Sequence, residues 1–335
     1  MRFALSDDQV AFRGAVRDLL TKECPPDVVR AAWDAPAGQL DRAVWDSLGA
    51  MGVLSLLVPE ADGGLGLDET YLVPILEECG RVALPHPIVE TAMVAAPLLG
   101  VDAGMVTTDL GGRNIPCAAD AEVLLLVRGS ALVRTTPAEA DLTLLDTVDR
   151  ARRTARLPEV AADLGSDDAY LPQVRGVGAT AGVTDDAGSI ALALDRGALG
   201  TAAMLVGLGQ AMLDLTVGYV QERQQFGVAV GSFQAVKHHL ADAALALEFA
   251  RPAVWRAGWS VARDAPTRAR DVSMAKAMAN DAAELVGRKA LQCHGAIGYT
   301  VEADLHLYLK RTWALARAWG DSAHHTDRVA SALGT

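Results

Sequence analysis

The residues of this chain that could do chemistry are few and lie mostly in its last third. Arg223 stands in the run Gln221-Glu222-Arg223-Gln224-Gln225-Phe226-Gly227, and a second aromatic follows in Gly231-Ser232-Phe233-Gln234. A guanidinium fork matches the oxygens of a phosphate group, and aromatic rings nearby can pack on a flat ligand. Taken alone, the arginine reads as a solvated helix end; beside Phe226-Gly227 and Phe233-Gln234 it reads as a ligand contact. The run Leu291-Gln292-Cys293-His294-Gly295-Ala296-Ile297-Gly298-Tyr299 places a histidine next to glycine, which lets backbone approach a ligand closely. His294 divides evenly between packing its own loop and touching a ligand.

Other conspicuous groups carry less. His238-His239 and His324-His325 are adjacent pairs, and neighbours on a helix do not share a face, so neither has the spacing of a metal site and no metal is expected. Gly63-Gly64-Leu65-Gly66 lacks the Lys-Ser/Thr of a phosphate loop and reads as a turn. Trp255 and Trp259, four apart, read as core. Cys24, Cys79, Cys117 and Cys293 form no C-x-x-C pair, which argues for buried thiols over a disulfide framework or a zinc site.

The elements that must position these groups fall into three blocks. The chain has 335 residues, enough for two to three domains. With 51% hydrophobic residues and mean hydropathy +0.19 the composition is globular. Forty-two acidic against 30 basic residues give a net charge of −12, the wrong sign for binding nucleic acid. Ala202 to Leu215 is among the richest apolar stretches, yet it contains Gln210 and Asp214, so no membrane span is expected. The start of the chain does not resemble a signal peptide, and a cytoplasmic protein is expected.

Residues 1–103 read as short helices. Ser6 is a helix N-cap, Cys24-Pro25-Pro26 a stop, Asp41 to Met51 a second helix, and Glu69 to Cys79 a third that Gly80 ends as C′. Residues 104–195 read as a small β domain, with strand-like runs at Val123 to Val127, Ala131 to Val133, Leu142 to Leu145 and Ser189 to Leu192. Residues 196–335 read as a four-helix bundle of Thr201 to Gln225, Gly231 to Asp264, Pro266 to His294 and Val301 to Trp319, with a kink expected at Pro252. The fold class is mainly α with a small central β domain.

Those motifs, in that order, resemble the acyl-CoA dehydrogenase family. Ser6-Asp7-Asp8-Gln9-Val10-Ala11-Phe12-Arg13, Val58-Pro59-Glu60 ahead of Gly63-Gly64, and Ile75-Leu76-Glu77-Glu78-Cys79-Gly80-Arg81 agree. The resemblance covers both terminal blocks. It implies an FAD enzyme that desaturates an acyl-CoA between Cα and Cβ and passes electrons to an acceptor flavoprotein. It also implies that Arg223 meets the FAD pyrophosphate of a neighbouring subunit, that Phe226 packs on the cofactor, that Phe233 and Gln234 lie near its adenosine half, and that Gln292, His294, Gly295 and Ala296 border its diphosphate. An oligomer follows, with copies of this chain or with a longer homologue.

Three departures from the family pattern matter. Aligning Arg311 with the family arginine puts Trp319-Gly320-Asp321-Ser322 where the catalytic glutamate is usual, and an indole cannot abstract a proton. At the family's other location for the base an ungapped alignment from Phe226-Gly227 puts Gly197-Ala198, and a two-residue slip brings in Asp195-Arg196, which makes Asp195 the candidate base, with Asp321 behind it. The Thr-Glu-Pro-Gly-type strand that lines the flavin ring has no counterpart, and Ala296 replaces a family glycine. Together these resemble the short subunits of actinobacterial heterotetrameric, steroid-type acyl-CoA dehydrogenases, in which one chain lacks the base and its bundle completes the FAD site of its partner. The alternative the resemblance leaves is therefore a non-catalytic subunit of that kind.

Overall fold

In the computed structural model, residues 4–110, 112, 114–157 and 181–334 are described; Gly111, Arg113 and the 158–180 part of the expected β domain lie outside them. Helix α1 (Asp7–Glu23) starts on a capping box, in which Ser6 Oγ accepts from the Gln9 N–H while Gln9 Oε1 accepts from the Ser6 N–H, with Asp7 and Asp8 against the positive end of the helix dipole. It ends at Cys24, and α2 (Pro26–Asp34) takes Pro26 as its first residue, where the missing N–H costs nothing. Helix α3 (Ala43–Ala50) precedes a looped segment, and α4 (Glu69–Arg81) is capped by Asp68.

Gly80 does not stop α4. The helix runs through it, because a Cβ at Gly80 would overlap the Met204 carbonyl: glycine is there for close packing between helices. A π-helical stretch, Val89–Ala95, then leads into α5 (Ala96–Leu99).

The central sheet has the order β1-β2-β3-β6. β1 (Val106–Thr108) lies parallel to β2 (Val123–Arg128), and β3 (Ala131–Thr135) and β6 (Ala181–Thr184) follow antiparallel, with Leu126 opposite Val133. Period-two alternation sends Leu125 and Val127 into the main core while Leu124 and Leu126 join a second core with Ile115, Ala118, Ala155 and Leu157. β4 (Thr143–Leu144) and β5 (Ala155–Arg156) pair at the edge of that second core.

The strand expected at Ser189 to Leu192 is instead the first turn of α6 (Ala187–Glu222), a helix of 36 residues. Asp186 caps it, accepting from both the N–H and the hydroxyl of Ser189, so the helical block begins well before residue 196. Helices α7 (Gln234–Ala262), α8 (Arg268–His294) and α9 (Leu305–Arg317) follow as expected, and α10 (Ser322–Leu333), which the periodicity did not suggest, is capped by Asp321 accepting from the His324 N–H. α6 is long and apolar enough to cross a bilayer, but its most apolar window is 83% buried inside the protein, so it is a core helix. All four cysteines are free and buried.

α6 owes its central place to small residues. A Cβ at Gly207 would overlap the Glu77 carbonyl of α4, and one at Gly209 would strike Leu247 of α7. Gly207→Ala should therefore cost roughly 1–3 kcal/mol through overpacking, whereas Gly218→Ala, with nothing within 4 Å of the new carbon, should gain about 0.5–1 kcal/mol from helix propensity. Urea unfolding midpoints of the two variants check both signs.

Candidate functional site

The C-terminus of α6 is built as a projecting corner. Arg223 caps the helix, its N–H donating to the Tyr219 carbonyl. Then β7 (Gln224–Gln225) folds back on β8 (Val228–Ala229), with Gln225 opposite Val228 and a two-residue turn made of Phe226 and Gly227. Both turn residues have positive φ, +54° and +80°, as a primed hairpin turn requires. Glycine tolerates that, but a phenylalanine there is strained at a cost on the order of 1–3 kcal/mol. The ring is nevertheless 94% exposed. Phe233, the N-cap of α7, meets it edge-on with centroids 6.3 Å apart. Gln234 and Arg223 are exposed beside them, and the Arg223 guanidinium has no ion-pair partner among the described residues.

The second group closes on the same corner. His294 is the last residue of α8, and its ring stacks on Tyr219 with centroids 4.5 Å apart and planes 12° from parallel. The His294 Nδ1–H donates to the Ala290 carbonyl at 2.9 Å, and burial lowers its pKa, so the ring is neutral at pH 7. Tyr219 sits one helical turn before Arg223, so this stack puts the Arg223 corner and the Gln292–Ala296 turn side by side. Gln292, Gly295 and Ala296 are exposed, and Gly295, at φ +62°, has nothing within 4 Å of where a Cβ would stand. Tyr219 had not been singled out as a site residue; its signal was the four-residue step to Arg223.

Comparison with known proteins gives the family of the chain. Residues 6–101 match the acyl-CoA dehydrogenase N-terminal domain and residues 188–334 the C-terminal domain. Acyl-CoA dehydrogenase IpdE2 of Mycolicibacterium smegmatis is 30% identical over 97% of this chain and 98% of its own length. The chain belongs to the acyl-CoA dehydrogenase family. Human mitochondrial short-chain specific acyl-CoA dehydrogenase is 28% identical over 85% of this chain and 80% of that protein. The fold is shared with the ChsE4-ChsE5 complex from Mycobacterium tuberculosis (TM-score 0.85, 22% identity, 100% and 99% of the two chains) and with butyryl-CoA dehydrogenase from Megasphaera elsdenii (0.81, 21%, 100% of each).

Within this acyl-CoA dehydrogenase chain, the places where a base would stand are otherwise engaged. Trp319, in the turn between α9 and α10, is 5% exposed, and its indole lies so close on α6 that a Cβ at Gly197 would collide with the ring. Asp195 lies inside α6 and not at the entry to it. Its Oδ2 accepts from Arg268 Nε at 2.9 Å and its Oδ1 from Arg328 Nη2 at 3.0 Å, tying α6 to α8 and α10. Both carboxylate oxygens are engaged by guanidinium groups, so the candidate base reads as a structural clamp. Asp321 is held down by the His324 N–H that it caps.

A cavity at the junction of the three blocks, lined by His86, Glu90, Cys117, Arg152, Thr201 and Arg311, measures about 10 Å³, room for one water and not for an acyl chain. Arg311 is buried there, donating to the Asp149 carboxylate and the Leu84 carbonyl.

If Asp195 is a clamp, Asp195→Asn should lower stability by about 3 kcal/mol, the low end for one partner removed from a buried ion pair, because both arginines keep some solvent. Chemical denaturation of the variant measures it, and a change below about 0.5 kcal/mol would free Asp195 for another role.

Proposed function

We propose that this chain is one subunit of an FAD-dependent acyl-CoA dehydrogenase that also contains a second, longer family member, and that the α6–α7 corner and the α8 end of this chain complete the FAD site of that partner. The observation that carries the reading is the pairing of a strained, solvent-exposed Phe226 with an Arg223 that has no ion-pair partner among the described residues, at one end of the bundle, in a chain with Trp319 at the usual base position.

The donor set fits the nucleotide half of FAD. Arg223 offers five N–H donors to pyrophosphate oxygens. The edge-on rings of Phe226 and Phe233 offer an apolar wall for adenosine, with Gln234 as a polar neighbour. Across the Tyr219–His294 stack, Gln292 and the open backbone at Gly295 and Ala296 can approach the phosphates closely. FAD held by these residues would supply the hydride acceptor for α,β-desaturation of the acyl-CoA. The residues of this chain hold and orient the nucleotide and keep water from it. With Trp319 and the doubly paired Asp195 unable to take the α-proton, the base belongs to the partner. A heteromer agrees with the ChsE4-ChsE5 relative, a complex of two differently named chains. The substrate is an acyl-CoA thioester, and the electrons leave to an acceptor flavoprotein.

Co-expression with a longer homologue tests this. Arg223→Ala and Phe226→Ala, each made in the complex, should cut the flavin retained per complex by about tenfold or more, since a charge-assisted hydrogen bond contributes roughly 1.5–3 kcal/mol. Flavin absorbance against protein concentration is the readout. Unchanged flavin in both variants would overturn the reading, and a colourless complex that still binds acyl-CoA would mean that the flavin has been lost.

A further inference from the structure

The outer face of α7 is apolar along much of its length. Ala241, Leu245, Phe249, Pro252 and Trp259 follow one another at three, four or seven residues, which places them in one stripe along the helix. All five are exposed, Leu245 by 58% and Phe249 by 65%. The opposite face, with Ala243, Leu247, Ala250, Val254 and Ala257, is buried in the core. Single exposed apolar residues are ordinary, but a stripe at this spacing is the seam through which one helix packs on another.

We propose that this face pairs with the same face of a second copy of this chain, the two α7 helices lying antiparallel about a two-fold axis at Phe249.

A two-fold contact brings together residues equally far from the axis. Phe249 then meets its own counterpart, and Leu245 faces Ala253 and the neighbouring Pro252. Asp242, two turns before Phe249, faces Arg256, two turns after it, on the same flank of the stripe. Opposite charges therefore meet twice, about 10 Å to either side of the axis. Each already has a partner in its own chain, Asp242 the Lys289 ammonium at 3.0 Å and Arg256 the Asp271 carboxylate at 3.3 Å, and the pairing adds a second across the contact. On the other flank Glu248 and Arg251, joined at 2.7 Å within the chain, come to the axis as a neutral pair. A stripe that complements itself in this way is what a second copy requires and an unlike partner does not.

The pairing leaves the α6–α7 corner open. Phe233 lies sixteen residues before Phe249, about 24 Å along the helix, so two copies present two separated corners, one to each of two further chains. The contact stands whichever chain holds the flavin.

Sedimentation velocity on the full chain, without any homologue, reads this contact. The unmodified chain should sediment as a dimer at micromolar concentration. Leu245→Glu and Phe249→Glu, both outside the core, should each raise the dimer dissociation constant about thirtyfold or more while circular dichroism stays unchanged. Phe249→Cys, oxidised with copper phenanthroline, should give a disulfide-linked species of twice the 35.1 kDa chain, because the four native thiols are buried. A monomeric chain, or a dimer that neither glutamate weakens, overturns the proposal. A monomer whose Phe249→Cys thiol is shielded from maleimide only once a longer homologue is added assigns this face to the unlike subunit and overturns it too. Should the chain not stay in solution alone, the same disulfide is sought in the co-expressed complex, where its absence contradicts the pairing equally.

Discussion

How closely α6 can lie against its neighbours governs the rest of the molecule. Backbone-to-backbone contact at Gly207 with α4, answered by Gly80 of α4 against Met204, brings the N-terminal helices and the bundle together without side chains between them. Burial of apolar area then does the rest, since Met204, Leu205, Val206 and Leu208 pack into one continuous core with α4, α7, α8 and α9. The same glycine-rich helix ends in the exposed corner at one extreme and accepts the Trp319 indole at Gly197 near the other. One packing constraint thus fixes both the surface offered outward and the interior closed inward.

The contrast between those two ends is the functional content of the fold. Strain sits at both: Phe226 and Trp319 are large aromatic residues with positive φ. At Trp319 the strain is matched by burial against Gly197 and by hydrogen bonds to the carbonyls of the turn. At Phe226 the ring stays almost wholly exposed, with only the edge of Phe233 and the β7–β8 pairing beside it among the described residues. An open bundle end of this kind is what the proposed pairing with a longer chain requires.

Much of this was legible in the sequence, where local chemistry decides the outcome. The Ser6 cap, the proline stop after Cys24, the alternating run of β2 and the α7, α8 and α9 helices depend on neighbours a few residues away, and all stand close to where the pattern puts them. The motif residues Arg223, Phe226, Phe233 and Gln234 and the Gln292–Ala296 turn come together at one end of the bundle, joined through the Tyr219–His294 stack. What could not be read depends on contacts distant in sequence. Gly80 has the local signature of a helix stop, and only the Met204 backbone, 124 positions on in sequence, makes it a contact instead. Ser189 to Leu192 alternates like a strand, but the Asp186 cap and the buried face that follows extend the helix through it. The double pairing of Asp195 needs Arg268 and Arg328, and no spacing rule connects those three positions. α10 follows α9 after only four residues, and its separate start rests on the Asp321 cap.

The central claim, that this chain lends nucleotide contacts to a partner and does not house a complete flavin site, is tested most directly by counting flavin against chains. Native mass spectrometry of the purified complex with a longer homologue should give one FAD for each pair of unlike chains, and none on this chain isolated alone. A tightly held FAD on this chain without the partner, or two per pair, would contradict the account.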